Sequence, residues 1–445
     1  MKIKRILAGL ITLTCFTASV GQVPEKVKLD QLFDRLAEKN KAMGSIAIVK
    51  DGTVVYQRSI GYAHIDGSEK KPLTATTRFR IGSITKMFTA VMILQLAEKK
   101  RVKLTDTLDK FFPQIANANK ITIAQILAHR SGIHDSLIDR DLRPASRTTA
   151  VTKEELLGII AKGTPDFEPD TKHSYSNSGY ALLGLIVEKL TGKSYEAVLK
   201  KEITSKIGLK DTYTAMVNID VSKNEALTYM NLGNEWKPVP QTHPSLLFGS
   251  GAIVSTPNDL AKFIQALFEL KLISQENLNL MKTIKDGDGS GIESFNFAGK
   301  TFYGHTGGVD NYGAWLAYMP EEKLAVAYTT NAKVYPVKNI VSGVVEIYYN
   351  KPFAIPSFES VAVSPEVLDK YVGVYSSADA PMKFTITREG STLFFHPPGS
   401  SAVPLEATAE NKFQIEGAVV IEFDLAKRQM TIKRRGGERV FTKAN

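Results

Sequence analysis

The chain has little of what metal and redox chemistry needs: 445 residues include one cysteine and seven histidines. Cys15 lies in an apolar N-terminal run, so the remainder has neither disulfides nor a cysteine nucleophile. No H-E-x-x-H occurs, which excludes the common helical zinc-hydrolase motif. G-x-S-x-G is also missing, and with it the nucleophile elbow of α/β-hydrolases. Gly192-Lys193-Ser194 and Gly299-Lys300-Thr301 lack the upstream glycine of a phosphate-binding loop. Asp286-Gly287-Asp288-Gly289-Ser290-Gly291 opens like a calcium loop. Its twelfth position is Phe297 instead of a bidentate Glu, so it reads as a flexible surface loop. No stretch approaches the ~20 apolar residues of a membrane-spanning helix.

Charge excludes a further class. The formal net charge of +10 falls to about +7 once the three bases of residues 1–21 are set aside, and residues 357–445 are balanced. No basic cluster with interleaved aromatics is present, so nucleic acid is not an expected partner. A mild basic excess suits a small anionic substrate or a cell-envelope polymer.

The N-terminus is distinctive. Lys2, Lys4 and Arg5 precede an apolar run from Ile6 to Phe16, followed by Thr17, Ala18, Ser19 and Gly21. This pattern predicts a bacterial secretory signal peptide over 1–21, and hence a periplasmic or secreted protein. A lipid anchor at Cys15 would want a small residue where Thr14 stands, and is not expected.

Beyond it, Val27 to Asn40 carries apolar residues on one face, predicting a helix. Ser45–Val49, the turn Asp51-Gly52 and Thr53–Ile60 predict a hairpin. From Ile121 to about Thr214 the pattern is helical, with pieces at 123–129, 153–162 and 178–190, the last closed by Gly192. Thr256, Pro257 and Asp259 form a helix start. Strands resume at Phe295 and continue through 312–318 and 324–330. Strands thus open and close the region while helices fill its middle, so first and last strands are expected to share one sheet. Residues 351–365 read as a linker, and short alternating runs beyond it predict a small all-β barrel or sandwich. The expected fold is α/β (α+β): an antiparallel sheet flanked by helices, an inserted helical region, and a C-terminal all-β barrel domain. The domains expected are 22–356 and 357–445.

Candidate chemistry centres on Phe79-Arg80-Ile81-Gly82-Ser83-Ile84-Thr85-Lys86 and the apolar residues that follow to Ala97, which read as a helix buried nearly all round. Ser83 and Lys86, three apart, share a face at its mouth: a hydroxyl beside an amine that could activate it. The competing reading makes Ser83 a plain helix cap. S-x-x-K should arise by chance about twice in such a chain, and it does, at Ser68–Lys71 as well. That second pair has no buried helix to hold it. Tyr175-Ser176-Asn177 stands just before a helix, and His305-Thr306-Gly307-Gly308 ends a strand where two glycines permit close approach to the backbone.

Taken in order, Ser83-x-x-Lys86, Tyr175-x-Asn177 and His305-Thr306-Gly307 resemble the class C β-lactamase and low-molecular-weight penicillin-binding-protein group of serine hydrolases. Leu127-Ala128-His129-Arg130-Ser131-Gly132, residues 175–184 and Ser255–Leu260 match as flanks, over about residues 30–350. Tyr371-Val372-Gly373-Val374-Tyr375 resembles the β-domain often appended to such proteins, as in D-alanyl-D-alanine carboxypeptidase-like members. The resemblance implies that Ser83 attacks a carbonyl carbon to form an acyl-enzyme. Its base would be Tyr175, its phenol lowered from about 10 by the Lys86 cation, or Lys86 itself. It implies further that the Ser83 and Gly308 N–H groups bind the oxyanion, that Asn177 contacts Lys86 or substrate, and that no metal or cofactor takes part. His305, where many relatives carry Lys, would be only a partial cation at neutral pH. That favours a peptidase or esterase acting on a small-molecule or peptide substrate, cell-wall peptide included, over a β-lactamase. The non-enzymatic alternative is a penicillin-binding sensor.

Overall fold

The computed structural model describes residues 25–444 apart from 140, 142–146, 216, 233–234, 378–379, 399–401, 416–418 and 435–436. The expected signal peptide and Cys15 lie outside the described residues. Helix α1 (Lys26–Glu38) leads into strands β1 (Ala42–Lys50) and β2 (Thr53–Ile60), whose turn holds Asp51 and Gly52 at φ 48° and 77°. Both central residues with positive φ are what a two-residue hairpin of matching twist demands. The chain then leaves the sheet for more than two hundred residues. It returns as β3 (Glu293–Phe297), β4 (Lys300–Val309), β5 (Tyr312–Met319) and β6 (Leu324–Lys333), ordered β3-β4-β5-β6-β1-β2 and antiparallel throughout. First and last strands do share one sheet, because β1 pairs β6 from Ala42↔Lys333 to Lys50↔Leu324.

Residue alternation divides the two faces of this sheet. Trp315, Ala317, Met319, Leu324, Val326 and Tyr328 point to α1 and helix α5 (Val337–Tyr348), sharing a core with Leu29, Phe33 and Val344. Ala314, Leu316, Tyr318, Ala325 and Ala327 point the other way, into a larger core with helices α2 (Thr85–Glu98), α3 (Asn177–Thr191) and α4 (Pro257–Phe268). A period of two on every strand produces these two cores without further instruction.

Helix α2 is buried from Thr85 to Leu96 with no polar face, as its unbroken apolar run predicts. Truncating one of its leucines, such as Leu94→Ala, should cost about 2–5 kcal/mol. Ser176 caps α3 by accepting from Gly179 N–H at 3.2 Å, and Gly192 (φ 67°) ends it. Thr256 caps α4 by accepting from Asp259 N–H at 3.3 Å.

Residues 351–364 carry no helix or strand, matching the linker pattern, yet Phe353, Ile355 and Phe358 pack on the α1/α5 core. After helix α6 (Pro365–Tyr371), eight strands follow: β7 (Gly373–Ser377), β8 (Ala380–Glu389), β9 (Thr392–His396), β10 (Val403–Ala409), β11 (Lys412–Ile415), β12 (Val419–Asp424), β13 (Gln429–Arg434) and β14 (Gly437–Lys443). They form a closed barrel, β7 pairing β14, around Leu393, Phe413, Ile421 and Met430. Closure leaves no edge open to aggregation. Lys41 joins the two parts through a part-buried 2.5 Å ion pair to Glu406.

Candidate active site

The site forms where three chain segments meet at the mouth of α2. The strand Phe79–Arg80 turns at Gly82 (φ 51°) into a 3₁₀ turn, Gly82–Ile84, and only then does α2 begin. Ser83 therefore sits one turn ahead of the regular helix. Its hydroxyl makes no capping bond, so the cap reading falls. A side chain at Gly82 would place Cβ 2.6 Å from Gly308 N, and one at Gly307 would collide with Ile81 O and lie 3.3 Å from Ser83 N. The absent side chains let β4 press its backbone onto the Ser83 turn. Ser83 and Gly308, the two expected oxyanion donors, are thereby brought together.

Lys86 is fully buried, and its Nζ donates to Ser83 Oγ (3.1 Å), Asn177 Oδ1 (2.8 Å) and the Ser250 carbonyl (2.9 Å). Burial pulls its pKa down to about 7, against the carboxylates of Asp135, Glu293 and Asp288, which act in the opposite direction. Tyr175 lies beside it, its ring centroid 4.7 Å from Lys86 Nζ. Burial raises this phenol well above its ordinary range, while a hydrogen bond with Ser83 works the other way. The expectation that the Lys86 cation lowers Tyr175 is thus corrected: desolvation and the carboxylates of Glu293, Asp288 and Asp135 hold the phenol up, and the amine loses much of its own charge near neutral pH.

The third motif needs a similar correction. His305 is buried, and Nδ1–H donates to the Thr306 carbonyl at 2.6 Å, leaving Nε2 as an acceptor. Burial and the nearby Lys86 push it down to about 4. It is a neutral imidazole at pH 7, not a partial cation, and so brings no charge to a substrate carboxylate. Its ring centroid lies 6.5 Å from that of Tyr175.

Several supporting residues carry no motif of their own. Asp135, nearly buried, accepts from Asn177 Nδ2 (2.7 Å) and from Ser178 N–H (3.3 Å). It thereby turns the other end of the Asn177 amide, Oδ1, toward Lys86. His129 (φ 54°) stacks on Tyr175 at 4.3 Å, accepts from Ser176 N–H at Nδ1 (3.0 Å), and offers its carbonyl to Ser174 N–H (2.9 Å). It grips the tyrosine from both sides in sequence, and only the flank at 127–132 hinted at it.

The loop at 286–291 is held rather than free. Asp288 pairs with His173 Nε2 at 2.9 Å, and Asp286 pairs with Arg130 Nη1, whose Nε also binds Asp170 at 2.5 Å. Among the described residues, no group of three or more His, Cys, Asp or Glu side chains could hold a metal ion.

The arrangement is a hydroxyl beside a buried amine, with the Gly308 backbone packed against the Ser83 turn, which suits acyl transfer. Comparisons with known proteins agree. The family model described as Beta-lactamase matches residues 29–341. Penicillin-binding protein 4* of Bacillus subtilis (strain 168) is 26% identical over 427 residues, spanning 90% of this chain and 94% of that protein. The octameric penicillin-binding protein homologue from Pyrococcus abyssi is 26% identical with a TM-score of 0.63, over 94% of this chain and 99% of its own. D-amino acid amidase from Ochrobactrum anthropi SV3, solved with D-phenylalanine, is 25% identical with a TM-score of 0.64, over 73% and 99%. The first two likenesses reach through the sheet-and-helix part into the barrel, and the family model spans most of the former. On these grounds the chain belongs to the beta-lactamase family of serine hydrolases.

Proposed function

We propose that the protein hydrolyses a small amide or ester, foremost a D-amino-acid peptide or amide, through an acyl-enzyme on Ser83. The observation that carries this reading is the buried Lys86 amine, 3.1 Å from Ser83 Oγ and with its pKa brought to about 7. Neutral Lys86 takes the hydroxyl proton as Oγ bonds to the carbonyl carbon. The oxyanion is held by the N–H groups of Ser83 and Gly308. The bond to the leaving amine or alcohol breaks, and that group takes a proton relayed from Lys86 through Tyr175. Water then adds to the acyl carbon, gives its proton back along the same route, and releases Ser83. Asn177 fixes Lys86, and His305 and Thr306 line the wall of the cleft. His305 as a neutral side chain favours this reading over a β-lactamase. The similarity to a D-amino acid amidase supports the D-configuration.

In this reading residues 1–21 direct export, 22–356 form the hydrolase, and 357–445 form an accessory barrel. The test is a panel of D-peptides, D-amino-acid amides, a cephalosporin and p-nitrophenyl acetate, assayed with wild type and Ser83→Ala. Turnover of D-configured amides that vanishes in Ser83→Ala supports the proposal. Turnover of the cephalosporin alone would move the protein to the β-lactamases. Stable acylation by penicillin without turnover of any substrate would make it a sensor.

A further inference from the structure

Strand β3 begins at Glu293, opposite Gly304, so β4 has no strand partner on that edge from His305 onward. This unpaired stretch, Thr306 to Gly308, is the one that runs past the Ser83 turn. An extended substrate that reaches Ser83 along it must pass Thr306. The carboxylate of Glu293 already occupies that end. It accepts from Thr306 N–H at 3.2 Å with one oxygen and from Thr306 Oγ1 at 3.2 Å with the other, and lies 3.5 Å from His305 Nδ1. Both Thr306 donors that could bind an anion are therefore spent on a negative charge. Around them His305 is neutral, Asp288 forms an isolated bridge with Glu293, and the Lys86 amine is engaged below. A second cation, Lys333, stands at the opposite end, its Nζ 3.8 Å from where a Gly308 Cβ would be.

We propose that Glu293 is a specificity residue, which rejects a substrate carboxylate beside Thr306 and selects a neutral or cationic group there. This rests on the acyl-serine reading above and narrows it: peptide amides, esters and amino-bearing substrates are accepted, and the free C-terminal carboxylate of a carboxypeptidase substrate is disfavoured. The geometry makes Glu293 an acceptor for a substrate ammonium as well as a repellent for an anion.

The test compares N-acetyl-D-alanyl-D-alanine with its C-terminal amide, a pair that differs in one charge. Wild type, Glu293→Gln, Glu293→Asp and Ser83→Ala are used, with melting temperatures to verify folding. Wild type should favour the amide by about tenfold or more in kcat/KM, the scale of one like charge nearby at a protein surface. Glu293→Gln should bring the ratio toward one through a gain on the carboxylate substrate, and Glu293→Asp should retain the preference. If neither peptide turns over, the same ratio is read from acylation by benzylpenicillin and its methyl ester. A wild-type preference for the charged member, or a ratio that Glu293→Gln leaves unchanged, overturns the proposal. Activity that survives Ser83→Ala, or no acylation by any probe, overturns the hydrolase reading instead and this inference with it.

Discussion

The state of Lys86 fixes the pH range in which the site can work, and the consequence can be computed. An amine with a pKa of about 7 is half neutral at pH 7, against about four molecules in ten thousand for an ordinary lysine near 10.4. If the neutral amine removes the Ser83 proton, acylation follows the neutral fraction. The rate should therefore rise about fifty-fold from pH 5 to pH 7 and level off above about pH 8, since each unit below the pKa costs a factor of ten. Protonation disables the base, so activity is lost as pH falls through about 7, the sign expected for a depressed amine. His305, at about 4, stays neutral throughout that window. The assay is pre-steady-state acylation by p-nitrophenyl acetate in constant-ionic-strength buffers from pH 5 to 10. Lys86→Met should lower the rate by about 10²–10⁴ and abolish the limb near 7. A rate that is flat from pH 6 to 8 and climbs only above pH 9 would rule out a depressed Lys86 as the base, because it would return the role to an ordinary lysine or a phenolate.

Substitutions of the groups around that amine have effects of known sign. Asp135→Asn removes the largest charge that favours the protonated amine, so the acid limb should move to lower pH by about one unit, read from the same profile. Gly307→Ala drives a methyl into Ile81 O and the Ser83 turn. It should cost about 1–3 kcal/mol of stability, measured by urea denaturation, and remove most acylation. Truncation after Phe358 keeps the anchored segment while deleting the barrel. It should leave acyl transfer within about threefold of wild type, because the residues assembled at the site, from Ser83 to Gly308, all precede the barrel.

The sequence is most legible where one local pattern carries the information. The all-round apolar run of α2, the Ser176 and Thr256 caps and the Asp51-Gly52 hairpin each follow from a few adjacent residues. The same holds for the meeting of Ser83 with Lys86 and Asn177, marked by two short motifs. What stayed hidden depends on chain segments far apart. Asp135 acts through Asn177, Ser250 contributes only a backbone carbonyl, and Glu293 matters because β3 happens to stop there. Protonation was also beyond spacing, since burial, reinforced by charges from distant segments, turned His305 neutral and kept Tyr175 protonated. In the barrel, β10 contains Pro404 and β14 buries only Phe441, so neither shows the alternation that revealed their neighbours. Ring closure supplies the pairing that local pattern does not.

The proposed chemistry stands on Ser83 as the nucleophile. Its most direct test is mass spectrometry of the protein after incubation with benzylpenicillin or a fluorophosphonate, followed by proteolysis. A single adduct on the peptide containing Ser83, absent from Ser83→Ala and slowed in Lys86→Met, is the predicted result. An adduct on any other residue, or one that persists in Ser83→Ala, would contradict it.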